Sequence, residues 1–366
     1  KKLPNPQKII SQRGGQEKFL STMADICIYG GKRGGAKAQP YSSKVITPFG
    51  ERDMGSLKVG SIISDTDGNM QKVISISEHG FKPVYEILFK DGTTARCTDD
   101  HLWKIKRTNY IRKSRRINGT GQEADWQNWT FEMVREFLDK RNSGEIKSGN
   151  LLIPLCAPIK FINPNEHQLD SGMVGMINEK SPNSSIPEYY KTASIEERFH
   201  LVQGLMDTDG TIDQRGHCSH STISETLAGD MAYILRSLGA YVTIEKSKAG
   251  YRKGEEHIQC NPVYNLYIKI EDTARLFTLP RKKERAKKFN GGVSTPCKAI
   301  EGYKFVGYDK CRCIAVSNPN SLYITDNFNV THNSFSLLLE SQHDIENKYF
   351  NSIVFRNEIN DLTDLV

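Results

Sequence analysis

From residue 38 to residue 106, short apolar runs alternate with polar turn signals. The runs Lys44–Thr47, Ile62-Ile63, Val73–Ile76 and Val84–Phe89 are separated by Pro48-Phe49-Gly50 and Asp67-Gly68 and followed by Asp91-Gly92. Runs of that length bounded by Gly, Pro and Asp predict strands joined by tight turns. Residues 110–150 are polar and basic, then mixed, with one helix expected over Phe131–Lys140; they read as a linker-like extension of the β region. From Phe161 the pattern changes to helix and strand. Ser194–Asp207 has the spacing of an amphipathic helix. After it come a strand pair (Thr211–Ile223), a helix (Glu225–Leu238), a second strand pair (Tyr241–Lys246 and Val263–Ile270) and a helix (Thr273–Leu279). A final β stretch runs from Cys313 to the polar cluster Val330-Thr331-His332-Asn333-Ser334.

Composition narrows the function classes. The 366 residues, 37% hydrophobic, are enough for two or three domains with a sizeable core. No apolar run approaches the roughly 18 residues of a membrane span, and Lys1–Gly15 has no signal-peptide core, so a soluble cytoplasmic protein with no membrane partner is expected. The net charge of +7 points only weakly to nucleic acid. The eight cysteines, Cys27, Cys97, Cys156, Cys218, Cys260, Cys297, Cys311 and Cys313, are scattered and lack zinc-site spacing. Neither a disulfide framework nor a metal–cysteine site is expected, which leaves room for a single reactive thiol.

The two ends of the chain make sense only together. Residues 24–37, ADICIYGGKRGGAK, run from a strand-like segment into a glycine-rich turn ending in Lys37. A phosphate-binding loop needs glycines for close backbone approach, a lysine for the outer phosphates and a following Ser or Thr for magnesium. The hydroxyl is missing: Ala38, Gln39 and helix-disfavouring Pro40 follow. Joining Lys37 directly to Ser334 gives GGKRGGAKSFSLLLE, which restores loop, lysine, hydroxyl and helix across the 296 residues from 38 to 333. Gly31, Gly34, Gly35, Lys37 and Ser334 would then bind ATP and Mg2+. The joined segments resemble the start of the ATPase domain of a phage terminase large subunit, through Gln16-Glu17-Lys18-Phe19-Leu20, Ala24-Asp25-Ile26, the loop, and Ile353-Val354-Phe355-Arg356; Ala36 departs from the usual glycine. The resemblance implies a host protein of a phage or prophage in a bacterial cytoplasm.

The intervening stretch carries three ordered motifs: VITPFGERDMGSLKVGSII, YEILFKDGTTARCTDDHLW and CIAVSNPNSLYITDNFNVTHNS. They resemble inteins, whose splicing domain has the mostly β, horseshoe-like HINT fold. Thr98 and His101 match the family's Thr-x-x-His motif, and His332-Asn333 its terminal pair. Breaking the Lys37–Ala38 amide requires polarising it, attacking it and protonating its leaving nitrogen. Thr98 and His101 are candidates to hold and protonate it. Asn333 can cyclise onto its own carbonyl to free Ser334, with His332 as proton donor. Ala38 has no nucleophile, so this is either an inactivated class 1 intein or one whose first attack comes from elsewhere. Class 3 inteins use an internal cysteine with a Trp, Cys, Thr signature, which Trp103, Cys313 (in the penultimate strand) and Thr331 match; on that resemblance Ala38 is native. Cys313 would take the Lys37 acyl group, Ser334 would receive it, and Trp103 and Thr331 would wall and position the site. Cys311 shares the strand face of Cys313; chemistry alone does not separate them, and the family register favours Cys313. Splicing of this kind needs no cofactor, and its substrate is the chain's own flanks.

Within this element, Leu201-Val-Gln-Gly-Leu-Met-Asp-Thr-Asp-Gly210 resembles the LAGLIDADG motif of homing endonucleases, and the elements after it complete an αββαββ half-module. Asp209 is the candidate Mg2+ ligand, Asp207 a helix-end support, and double-stranded DNA the partner this implies. The basic run Arg281–Lys288 can contact DNA backbone or simply face solvent. Double-strand cleavage needs two such motifs. Met173–Glu179 lacks the Asp-Gly ending, and Phe161–His200 is too short for a preceding half-module. The expected organisation is therefore terminase segments at 1–37 and 334–366, splicing domain at 38–160 and 293–333, and endonuclease-like insert at 161–292. The unspliced chain is expected to be a monomer.

Overall fold

The computed structural model describes residues 38–108, 125–146, 149–162, 181–248, 250–253, 256–289 and 297–332. Lys37, Asn333, Ser334, the glycine loop, both terminase-like segments and Met173–Glu179 lie outside them.

In chain order come β1 (Gln39–Pro40), β2 (Lys44–Thr47), β3 (Gly50–Asp53), β4 (Ile62–Ser64), β5 (Met70–Phe89), β6 (Thr94–Cys97), β7 (Leu102–Thr108), β8 (Gln127–Thr130), α1 (Phe131–Asn142) and β9 (Asn150–Pro154). The insert contributes α2 (Glu188–Lys191), α3 (Ile195–Thr208), β10 (Gly210–Ile212), β11 (Cys218–Thr222), α4 (Glu225–Ser237), β12 (Tyr241–Ser247), β13 (Gly250–Lys253), β14 (Glu256–Gln259), β15 (Val263–Lys269), a 3-10 turn (Thr273–Leu276) and α5 (Pro280–Phe289). The chain then returns through β16 (Cys297–Val316), β17 (Leu322–Thr325) and β18 (Asn329–His332).

Strands from both sides of the insert interleave in one sheet, with β3-β2-β17-β18-β7-β9-β16-β5-β4 along its path and β1, β6 and β8 attached to β16, β5 and β7. The apolar runs Val73–Ile76 and Val84–Phe89 prove to be parts of a single twenty-residue strand, β5, because it pairs along nearly its whole length with β16. Four register shifts along that pair supply local bends. Asp67-Gly68 forms the expected turn: Asp65 Oδ1 accepts from the amides of Asp67 (2.9 Å) and Asn69 (2.8 Å), and Gly68 takes φ +76°. The described chain is mostly β with an inserted α+β unit, the layout expected of a HINT domain carrying a LAGLIDADG-type module.

The described part of the linker-like stretch is instead integral to the sheet domain. Thr130 Oγ1 caps α1 by accepting from the Met133 amide at 3.3 Å. The helix buries Phe131, Val134, Phe137 and Leu138 against Trp103, Ile105, Leu151 and Ile153. The polar face of α1 had hidden that apolar stripe within a basic region.

The insert forms a four-stranded sheet, β10-β11-β15-β12, under α3 and α4, around a core that includes Leu201, Val202, Leu205, Leu227, Met231 and Leu266. Ser194 and Glu197 start α3 with a reciprocal capping box. The helix expected over Thr273–Leu279 begins later: residues 273–276 form only a 3-10 turn, and α5 starts at Pro280. Proline suits a first helical position, and Asp207 accepts from the Thr278 and Leu279 amides just before it, the second at 3.3 Å. No helix among the described residues is long and apolar enough to cross a membrane.

Candidate functional site

Ala38 is fully buried. Its amide donates to Thr98 Oγ1 at 3.3 Å, while Thr98 returns its hydroxyl (3.1 Å) and its amide (3.1 Å) to the Ala38 carbonyl. The nitrogen held this way is that of the Lys37–Ala38 bond. Gln39 fixes the other side of Ala38: Tyr323 donates to Gln39 Oε1 at 2.7 Å, and Gln39 Nε2 donates to Thr325 Oγ1 at 3.1 Å.

His101 lies at the far end of the same turn, its amide donating to the Thr98 carbonyl at 3.1 Å. Its Nε2 meets Thr331 Oγ1 at 2.5 Å, and Thr331 in turn donates to the Leu102 carbonyl at 3.2 Å. His101 and Thr331 are both fully buried. Thr98 thus holds the amide after Lys37, while His101 holds the residue two before Asn333. The pairing His332↔Leu102 secures β18 against β7. His332 Nε2 faces Asn128 Nδ2 at 3.3 Å.

Trp103 is fully buried and stands edge-on to His101 at 5.6 Å between centroids. It also packs on Phe89 at 6.2 Å and belongs to the core beneath the site. It is therefore a core tryptophan with one neighbour in the site. Removing a ring so buried costs about 3–5 kcal/mol, so its role cannot be tested by truncation alone.

The two cysteines of β16 occupy different environments. Cys311 is fully buried in a cluster with Ala38 and Val84, opposite Pro40, and burial pushes its thiol up to about 12. Cys313 is half-buried, and its Sγ lies 3.6 Å from the Ile314 carbonyl. Among the described residues two strands follow β16, so Cys313 sits on the third strand from the end of the splicing domain's described part, not on the penultimate one. Alternation places Ala38, Cys311 and Cys313 on one face. The packing of Ala38 favours Cys311, whereas exposure favours Cys313, since burial holds the Cys311 thiol protonated. Cys97, beside Thr98, is buried and its thiol is pushed upward as well.

In the insert, Asp209 ends α3 as its C-terminal cap. Asp207 Oδ2 accepts from the Thr278 amide at 2.9 Å, so its carboxylate ties the end of α3 to the segment before α5 and does not cap α3 itself. The Lys282 ammonium donates to the carbonyls of Met206 (2.7 Å), Asp207 (3.0 Å) and Gly210 (2.7 Å), so α5 supplies a cation to the carboxyl end of α3. Among the described residues no group of three His, Cys, Asp or Glu could hold a metal ion.

Several residues of the site carry no chemical signal of their own. Tyr323 and Thr325 fall inside the third motif, Gln39 follows Ala38 where the phosphate loop breaks off, and Asn128 lies in the linker-like stretch. The alternation Gln127-Asn-Trp-Thr130 just before α1 was the available signal for β8.

A family model for homing endonucleases matches residues 185–279, which spans α2 to the end of the 3-10 turn region. The chain is similar to a replicative DNA helicase DnaB of Mycobacterium intracellulare, 27% identical over 359 residues that cover 85% of this chain and 61% of the helicase. It thus spans about three fifths of the length of that relative. Among solved structures it is similar to the MchDnaB-1 intein (13% identity, TM-score 0.29, 81% of this chain and 99% of that one). It is similar in the same way to the gp41-1 intein (11% identity, TM-score 0.29, 81% of this chain and 98% of that one).

Proposed function

We propose that this chain is a self-splicing precursor that excises residues 38–333 and joins Lys37 to Ser334. The observation that carries the reading is the Thr98–His101 turn, with one end bonded to the Ala38 amide and the other to Thr331. Residues almost three hundred positions apart are brought to one short segment whose side chains suit amide cleavage.

In the class 3 route, the Cys313 thiolate forms a bond to the Lys37 carbonyl carbon, the Lys37–Ala38 bond breaks, and the Ala38 nitrogen takes a proton. Thr98 orients that amide, and His101 is the nearby acid–base group. The Ser334 hydroxyl then takes the acyl group and returns the Cys313 thiol. The Asn333 side-chain nitrogen attacks its own carbonyl, forming a succinimide and releasing the Ser334 amine, with His332 as proton donor. An oxygen-to-nitrogen acyl shift completes the peptide bond. The joined product carries Gly31, Gly34, Gly35, Lys37 and Ser334 in one loop suited to ATP and Mg2+, as expected for a cytoplasmic phage terminase ATPase.

Mass spectrometry of the purified chain under reducing conditions tests the reading. Expected are a ligated 70-residue product and an excised 296-residue element ending in a succinimide; a mass that never changes overturns it. Loss of the branched species in Cys313→Ala supports the internal nucleophile. Branching that persists there and disappears in Cys311→Ala moves it, and a chain that never branches favours an inactivated class 1 element.

The homing-endonuclease match favours a second activity, cleavage of an intein-free host gene. Mg2+ binds through one or two carboxylates together with phosphate oxygens, which one Asp209 per module fits only with DNA and a second helix end present. The ion would polarise the scissile phosphate; Asp209 would hold it, and Lys282 would neutralise the carbonyls beside it. Site-specific double-strand cutting that disappears in Asp209→Asn is expected. Its absence from the unaltered chain retires this activity and leaves splicing untouched.

A further inference from the structure

One buried charged cluster has no part in the splicing steps. Lys298, near the start of β16, is 2% exposed. Its ammonium pairs with Asp91 at 3.0 Å and donates to Thr93 Oγ1 at 3.0 Å and Asn329 Oδ1 at 2.7 Å. Arg236 of α4 approaches the same Asp91 carboxylate at 4.0 Å. Thr93 completes the cluster by donating its hydroxyl (2.6 Å) and amide (3.1 Å) to Asp91 Oδ1. A buried ion pair is poor evidence for stabilisation, because desolvation offsets its attraction; where it sits is more informative.

The cluster sits beneath a strained turn. Asn327 (φ +55°) and Phe328 (φ +60°) are consecutive non-glycine residues in the left-handed region, between β17 and β18. Such a conformation persists only where its surroundings over-determine it. Lys298 reaches the Asn327 carbonyl at 3.5 Å and the Asn329 side chain, bracketing Phe328. The Phe328 ring meets Tyr233 of α4 edge-to-face at 4.9 Å. Val330, next along β18, packs in a cluster with Cys156, Ile159 and Phe161, the segment that leads into the insert, and Tyr233 packs against that cluster as well. Ile159 is itself bonded to the Ser237 carbonyl at the end of α4 (2.9 Å). Thr331 and His332 follow Val330 directly.

We propose that helix α4 of the insert is a positioning element for the carboxyl-terminal splice junction, acting through Arg236–Asp91–Lys298 on Asn329 and through Tyr233 on Phe328. On this proposal, which rests on the splicing reading above, the insert serves splicing as well as any DNA chemistry. Asn333 cyclisation depends on the clamp directly, while the first acyl transfer, held by Thr98 and Gln39, is linked to it only through the Thr331–His101 contact. Burial lowers the Lys298 ammonium to about 8, so it is still a cation at neutral pH and can hold both Asp91 and Asn329.

The test uses the full 366-residue chain with Lys298→Met, Tyr233→Ala and Tyr233→Phe. Thiol-induced release of residues 1–37 reads the first step, and succinimide-bearing product reads cyclisation. In Lys298→Met and Tyr233→Ala, cyclisation should slow by about tenfold or more while thiol-induced release stays within about twofold of the unaltered chain. Tyr233→Phe keeps the ring contact and should restore cyclisation. Equal loss of both steps, or loss of neither, overturns the clamp. An unaltered chain that forms neither thioester nor succinimide overturns the splicing reading itself, so the two failures are distinguishable.

Discussion

Thr98→Val removes one hydroxyl and keeps the branched shape of the side chain. The hydroxyl accepts from the Ala38 amide at 3.3 Å and donates to the Ala38 carbonyl at 3.1 Å, in a site with no exposure at Ala38. Each bond contributes about 1 kcal/mol net, and a buried amide left unsatisfied costs about 1–3 kcal/mol. If about 2 kcal/mol of this acts on the transition state, the first step slows about 30-fold, since ~1.4 kcal/mol is a factor of ten. The assay is thiol-induced release of residues 1–37 in an Asn333→Ala background, where cyclisation is blocked and only the first step is read. Circular dichroism and thermal melting establish that the variant is folded. A slowing of less than about threefold, with the fold intact, would refute the role given to Thr98, because the lost bonds would then be equal in ground and transition states.

Cys311 and Cys313 should differ toward iodoacetamide. At pH 8 a thiol raised to about 12 is thiolate in roughly one molecule in ten thousand, so half-buried Cys313 should alkylate at least about tenfold faster by peptide mapping; faster labelling of Cys311 would move the nucleophile. Gly68→Ala should lower the thermal midpoint by about 5 °C or more, because the added Cβ would lie 2.0 Å from the Pro158 carbonyl oxygen and Gly68 has φ +76°. A midpoint unchanged by calorimetry would mean that the segment leading into the insert does not pack there. Ser194→Ala removes one half of the capping box on α3 and should cost about 1 kcal/mol in chemical denaturation; no change would deny the cap its contribution.

What the sequence determined by itself is local or carried by motif. Turn chemistry at Asp67-Gly68 and the helices over Ser194–Asp207 and Glu225–Leu238 are set by neighbours a few residues apart, so they can be read directly. The Thr98, His101 and Thr331 candidates were legible through the resemblance to inteins, whose motifs and signature they match. Tertiary structure decided what depends on distant partners. Two apolar runs merged into β5 because β16 lies alongside them, and α1 left the linker class because Trp103 and Leu151 receive its apolar stripe. Gln39, Tyr323, Asn128 and Lys298 joined the site or its support through pairings across the sheet, which leave no trace in local spacing. The contrast between Cys311 and Cys313 has the same origin: the two residues share one strand face, and only packing against Ala38 and Val84 buries one thiol and leaves the other half-exposed.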